Sequence, residues 1–291
     1  MAYQTSEYSN SPDILMGVHG MRSPIHRTID LNSITPGPGG LKIVPAGTFF
    51  SDLGNGYCRP LARARVMADT PAGETEIPVV TPQFFKAGDA ISIVVPSGTV
   101  TLSSAAAGWV VGNTITVTLG GLAVPYTVVA EDIGGTLAAT DAAIAEKLVT
   151  ALTEAAAHLA TASAEGAVVR LLSTSTTAHT LAVIETATNG VAGVSGATLT
   201  PTQPVGTITS ADVEAGTITL AAPTTVALVA GQPIGTPSKA LGIIVQTLSL
   251  GDENSIDAPE QGLYTSVNVR LELLPYYDSS IKADLPEVQA V

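Results

Sequence analysis

Few residues in this chain are of types that do chemistry beyond packing, and their spacing decides which chemistry is open to them. His19, His26, His158 and His179 are scattered. His19 and His26 form the one near pair, and no acid or cysteine stands at ligand spacing to complete a metal site. They read as surface or arm histidines, and His158 suits the carbonyl end of a helical stretch. The run GDENSID at 251–257 carries carboxylates enough for calcium. It lacks a glycine-pivoted loop closed by a bidentate Glu, so it reads as a solvated turn, with calcium left open. Gly193-Val194-Ser195-Gly196 has the outline of a nucleophile elbow, but its second glycine comes one position early and no triad partner is evident. The glycine runs TPGPGG and IGG lack the Lys-Ser/Thr or the βαβ frame of a phosphate cradle. None of these patterns supports an enzyme, a cofactor or a metal.

The arginines are more suggestive. In YCRPLARARV, Leu61, Ala62, Ala64 and Val66 are interleaved with Arg63 and Arg65, so a strand there places both arginines on one face. That face is either a solvated strand surface or a basic stripe turned toward an acidic partner. Arg22, Arg27 and Arg59 join Arg63 and Arg65 as the candidate contact set. Trp109, Phe84 and Phe85 are either core and hairpin packing or partner-contacting aromatics.

Those residues must be held by the elements around them. Pro12, Pro24, Pro36, Pro38 and Pro45 interrupt residues 1–45, which read as an extended arm. The arm still holds Ile14, Leu15, Met16, Val18 and further apolar residues, so it is either a flexible terminus or a segment that orders on another chain. Strands begin near GTFF at 47–50. The segment at 68–94 reads as a strand, a turn, a buried aromatic pair and a second strand. Its natural continuation, GTITSADVEAGTITL, starts only at Gly206, with the tip Glu214-Ala215-Gly216 between two alternating strands.

Between them lies a region of different character. TITVTL at 114–119 and the run at 125–130 flank Gly120-Gly121, a hairpin signal. A helix is expected from about Thr140 to Ala160, with Ile144, Leu148, Leu152, Ala155 and Leu159 on one face and Thr140 or Asp141 as N-cap. Strands at 168–172 and 180–186 follow, with Asn189-Gly190 as a turn. The last strands are expected at 241–248 and 264–274.

The expected fold class is therefore mainly β: a barrel- or sandwich-like body with an inserted small α+β domain carrying one helix. The expected domains are an arm at 1–45, a discontinuous body at 46–98 and 205–274, an insert at 99–204 and a loose tail at 275–291.

Composition narrows the partners. The chain has 291 residues, 12 basic against 25 acidic, for a net charge of −13. Residues 1–65 hold six basic and four acidic residues, so the rest holds six basic against 21 acidic, a charge of −15. Nucleic acid is a poor main ligand for such a chain, since it demands clustered cations. Hydrophobic residues make up 45% and charged ones 13%. No stretch approaches the ~18–20 apolar residues of a membrane helix. An apolar, sparsely charged chain of this kind is expected to bury surface against copies of itself or a partner. Cys58 stands alone, so no intramolecular disulfide forms. The N-terminus lacks the basic start and apolar core of a secretory signal, and the protein is expected to act where it is made or after lysis.

The pairing of FKAGDAISI with GTITSADVEAGTITL is similar to a β-module common in tailed-bacteriophage structural proteins. NTITVTLGGLAVPYTVVAEDIGGTLAATDAAIAEKLVTAL resembles a small α+β domain of phage tail, baseplate and head proteins. The proline-rich arm before KIVPAGTFF, with the late segment SLGDENSIDAPEQGLYTSVNVRLELLP, resembles head decoration, or cement, proteins. That resemblance implies a β-rich, usually trimeric body that clamps the major capsid protein from the outer surface of the virion and stabilises the head without catalysis. The N-terminal arm would reach across the seam between capsid subunits. The alternative it leaves open is a tail, baseplate or fibre component.

Overall fold

The computed structural model describes residues 24–36, 41–80, 82–103, 108–174, 179–186, 194–200, 203–249, 260–270, 274 and 276–290. Among these the chain is mainly β, and it divides into two compact units, Met1–Val94 with Pro204–Val291, and Val95–Gln203. In chain order the first unit contributes β1 (Ile25–Ile29), β2 (Ile43–Val44), β3 (Phe49–Gly54), β4 (Tyr57–Pro60), β5 (Arg63–Val66), β6 (Glu76–Val80) and β7 (Ala90–Ile93). The second unit holds β8 (Ser97–Leu102), β9 (Thr114–Leu119), β10 (Leu122–Thr127), α1 (Leu137–Ala156), β11 (Ala160–Glu165), β12 (Val168–Ser173), β13 (Leu181–Thr186) and β14 (Val194–Thr200). The first unit resumes with β15 (Pro204–Asp212), β16 (Thr217–Leu220), β17 (Pro233–Gly235), β18 (Ala240–Ile243) and β19 (Leu248–Ser249). It ends with β20 (Glu260–Leu263), β21 (Val267–Val269), α2 (Ser279–Asp284) and β22 (Val288–Ala290).

The centre of the first unit is a closed barrel in the order β15-β16-β6-β5-β17-β7. Every pairing is antiparallel. Strand alternation supplies its interior: Ile77, Val79, Ile91, Ile93, Ile218, Leu220 and Ile234 are all buried. Closure leaves no free edge to pair with another chain. The β15–β16 tip is set by Asp212, whose Oδ1 accepts from the backbone N–H groups of Glu214 and Ala215, both at 2.9 Å. β7 and β15 are direct neighbours, with Ser92 opposite Pro204 and Ala90 opposite Thr207. The chain therefore leaves the barrel and returns to it through adjacent strands.

A second sheet runs β18-β3-β4-β1-β20. Its outer strands meet where Ile243 and Tyr264 exchange backbone hydrogen bonds of 3.0 and 2.9 Å. Here the structure departs from the expected arm. Residues 25–29 form β1, parallel to β4 and antiparallel to β20, and Ile29, Leu31 and Ile34 are buried. The prolines at 24, 36 and 45 bound this segment rather than dissolve it. Residues 1–23 lie outside the described residues.

The expected loose tail is also corrected. Asp278 caps α2 by accepting from Ser280 N at 2.7 Å and Ile281 N at 3.0 Å, and β22 pairs with β21. Ile281, Leu285 and Val288 are buried with Phe49, Leu61, Ile243 and Val269. Each such side chain contributes about 1.5–3 kcal/mol of burial, enough to order a short segment.

The second unit has its own core, which includes Val100, Trp109, Ile115, Val117, Ile144, Leu148, Leu152, Val169 and Leu171. Its sheets run β11-β12-β8-β14 and β10-β9-β13, and α1 packs against β8, β10, β11 and β12. The turn Gly120-Gly121 joins β9 to β10 with φ of 58° and 87°, which side chains disfavour at both positions. The helix begins earlier and ends earlier than expected. Thr136 is the N-cap, accepting from Ala139 N at 3.2 Å, and Ala160 already opens β11. Ile144, Leu148 and Leu152 are buried as expected, whereas Ala155 is exposed.

Candidate functional site

The described arginines of the expected contact set, Arg27, Arg59, Arg63 and Arg65, lie in the first unit, and three are engaged inside it. Arg59, on β4, grips Asp89 with two parallel hydrogen bonds, Nη1 to Oδ1 at 2.8 Å and Nη2 to Oδ2 at 2.7 Å. Its Nη2 also donates to the Phe84 carbonyl at 3.1 Å, and Asp89 Oδ2 accepts from Lys86 N at 3.0 Å. Bidentate geometry of this kind is the strong form of the ion pair, and here it closes the turn before β7. Burial is the main cause that lowers the pKa of Lys86.

Arg63 and Arg65 do share a face of β5, as the alternation requires, but that face is covered. Arg63 is only 6% exposed. Its Nη1 donates to the carbonyls of Thr236 and Ala62, and its Nη2 to Ser238 O at 3.0 Å. Burial pulls its pKa down, and the neighbouring Asp278, Tyr276 and Asp284 only oppose that pull. Arg65 lies over the Tyr276 ring, 5.6 Å from its centroid, and donates to Tyr277 O at 3.2 Å. The stripe is therefore an internal staple holding residues 236–238 and 276–277, not an open contact surface. Carbonyls of irregular segments need donors, and a guanidinium offers five in a fixed fork. Arg27, half-buried on β1, donates to His26 O at 2.9 Å. Arg22 lies outside the described residues.

The C-terminal aromatics could not be found from the stripe. Tyr276 donates to Asp278, and burial together with that carboxylate pushes its pKa well up. The signal for them is the doublet Tyr276-Tyr277 before Asp278-Ser279-Ser280, a helix-cap pattern in a chain with 4% aromatics. Beside them is a small cavity lined by Phe49, Leu61, Arg63, Gln83, Phe84 and Ile281, among others, with room of about 20 Å³, roughly one water.

Several of the other chemistry-bearing residues are packed or hydrogen-bonded within the two units. Phe84 and Phe85 are buried in the first unit. Trp109 is buried in the second and donates from Nε1 to Asp141 Oδ1 at 2.7 Å. Tyr126 donates to Asp132 Oδ2 at 2.6 Å. Cys58 is fully buried, and burial pushes its thiol up to about 12, which removes the reactive thiolate. His26 and His158 are exposed. Residues 194–196 belong to strand β14, not to a strand-to-helix elbow. His19 and the acidic turn 251–257 lie outside the described residues. Among the described residues no three His, Cys, Asp or Glu side chains gather as a metal site, and no helix is long and apolar enough to cross a membrane. No protein-family model matches this chain, and no curated protein matches it.

Proposed function

We propose that this chain is a structural protein of a virus particle that decorates and cements the outer surface of the head, binding the assembled major capsid protein. It acts as a homo-oligomer, with a trimer favoured, and carries out no reaction. The observation that carries the reading is the layout of a closed barrel interrupted between two neighbouring strands by a second unit with its own core. A β-rich body is what the resemblance to phage decoration proteins implies, and the second unit falls on the region that resembles the small α+β domain of phage tail, baseplate and head proteins. The charge of −13 supports a protein partner over nucleic acid.

Binding the assembled lattice and not its free subunits shifts the equilibrium toward the shell, and many copies across seams multiply the effect. With Arg59, Arg63 and Arg65 engaged internally, docking falls to the segment 1–23 with Arg22. It also falls to exposed apolar side chains such as Met67, Val80 and Val213. The test is co-sedimentation of the full chain with assembled capsids, compared with a form lacking residues 1–23. Full-length protein is expected in the capsid pellet and the truncated form in the supernatant. Equal pelleting of both removes the arm's role, and no pelleting of either removes the capsid reading.

A tail or baseplate position is the second reading, favoured by the likeness of the 99–204 region to modules of those structures. Labelling intact particles separates the two: signal over the whole head supports cement, and signal confined to the tail supports the alternative.

A further inference from the structure

The tip of the β3–β4 hairpin is built from Gly54, Asn55 and Gly56. Asn55 has a φ of 52° and Gly56 one of 84°, the pair of positive angles that a two-residue type I′ turn demands. Asn55 is the one residue other than glycine with a positive φ among the described residues. All three tip residues are exposed, and a Cβ built at Gly54 or Gly56 would meet nothing within 4 Å. The ladder breaks off with Gly54 opposite Tyr57, so the Gly56 N–H stands outside it. Among the described residues neither that N–H nor the Asn55 side chain has a hydrogen-bond partner.

A primary amide carbon and a main-chain nitrogen therefore sit side by side, with no side chain on Gly56 to block their approach. Attack requires Asn55 to rotate out of the turn, which a hairpin tip free of tertiary cover allows. The Gly56 nitrogen then attacks Asn55 Cγ, a C–N bond closes a five-membered succinimide, and the side-chain nitrogen leaves as ammonia with the displaced amide proton. Water opens the ring. Cleavage at Cγ leaves aspartate, and cleavage at the main-chain carbonyl leaves isoaspartate, with the chain routed through Cγ. The net change is an amide NH2 replaced by OH, which ionises to one added negative charge, and water is the co-reactant.

The position matters to the fold. The Gly56 carbonyl accepts from Thr28 N at 2.9 Å, where β1 begins its parallel pairing with β4. Isoaspartate lengthens the main chain by a methylene immediately before that acceptor. We propose that Asn55-Gly56 is a self-modification site, and that its isoaspartyl form loosens the attachment of β1 to β4. The inference concerns the first unit alone and needs no particle, so it stands or falls apart from the capsid reading.

The test incubates the full chain, folded and in urea, in mildly alkaline buffer at physiological temperature. Tryptic peptides resolve Asn55 from Asn189, the other asparagine followed by glycine. The folded protein is expected to gain a more acidic species on anion exchange, with aspartate and isoaspartate at position 55. Its yield should rise with pH, since the attacking amide must lose its proton. Asn55→Gly, which keeps the positive φ, should lose the product at that position entirely. In the isolated isoaspartyl form, amide exchange at Thr28 should be faster than in the parent protein. An Asn55 left intact in the folded chain, whatever its fate in urea, overturns the site. Equal Thr28 exchange in the two forms overturns the effect on β1.

Discussion

Arg63 crosses directly over Gly235. A Cβ built at Gly235 would stand 2.6 Å from Arg63 Cδ, 2.8 Å from its Nη1 and 2.4 Å from the carbonyl oxygen of Ala62. These residues are cross-strand neighbours in the barrel, Gly235 opposite Arg63 in the β17–β5 pair. The missing side chain is what lets the guanidinium reach Thr236 and Ser238, and so hold the link from the barrel to β18. Glycine acts here through close approach, since no unusual backbone conformation is involved.

Gly235→Ala is therefore expected to destabilise the first unit by about 1–3 kcal/mol, the usual range for overpacking a closed site. The only tryptophan of the chain, Trp109, lies in the second unit, so its emission reports that unit alone. Urea unfolding followed by circular dichroism should show a lowered first-unit midpoint while the Trp109 transition stays in place. Unchanged midpoints in both signals would mean that Arg63 does not depend on the gap.

Much of this architecture is legible in the residues, and the exceptions have physical causes. TITVTL is strand β9 from end to end, because its period-two alternation is unbroken and two glycines follow. ATASAE, now β11, is too rich in alanine and too poor in β-branched residues to declare itself, and it follows directly on an alanine-rich helix. Its strand state comes from full pairing with β12. The helix start was obscured because Thr140 and Asp141 are good capping residues in the wrong place. Thr140 Oγ1 accepts from Gly134 N and Asp141 accepts from Trp109, so both serve the fold as tertiary anchors one turn inside α1. The arginine stripe shows the limit most plainly: alternation placed Arg63 and Arg65 on one face, but nothing local says that residues 276–278 return to cover it.

The Trp109–Asp141 hydrogen bond gives a direct test of the second unit. Asp141→Ala leaves the indole N–H buried without that acceptor, at an expected loss of about 1–3 kcal/mol. Asp141→Asn keeps an oxygen in reach and should lose clearly less. Urea unfolding monitored by Trp109 emission measures both. Equal losses in the two variants would show that the charge, not the hydrogen bond, is what matters.

The adjacency of β7 and β15 implies that the two units fold separately. Joining Val94 to Pro204 through Asn-Gly leaves a short hairpin loop where residues 95–203 were. The shortened chain is expected to unfold cooperatively at nearly the midpoint of the first unit in the full protein. Residues 95–203 alone should keep the blue-shifted emission of buried Trp109. Amide spectra with collapsed dispersion for either piece would show that one unit needs the other to fold.

Cys58 ties the stability of the first unit to alkaline pH. Its thiol moves from the ordinary 9.0 to about 12, chiefly by burial, with Arg27 opposing and Asp52 adding to the shift. Below pH 9 the thiol is protonated in both folded and unfolded chains, and its contribution is constant. Between pH 9 and about 12 the unfolded chain sheds the proton while the folded one keeps it, so stability falls as pH rises. Tyr276 and Tyr277, also raised by burial, act in the same direction at higher pH. The first-unit urea midpoint should thus decline above pH 9, and Cys58→Ala should make the decline shallower. At pH 8 a disulfide reagent should label Cys58 only as fast as the unit opens, so labelling should accelerate with urea. Immediate labelling of the native protein, or identical pH profiles for wild type and Cys58→Ala, would place the thiol in a more solvated setting than the β4 core.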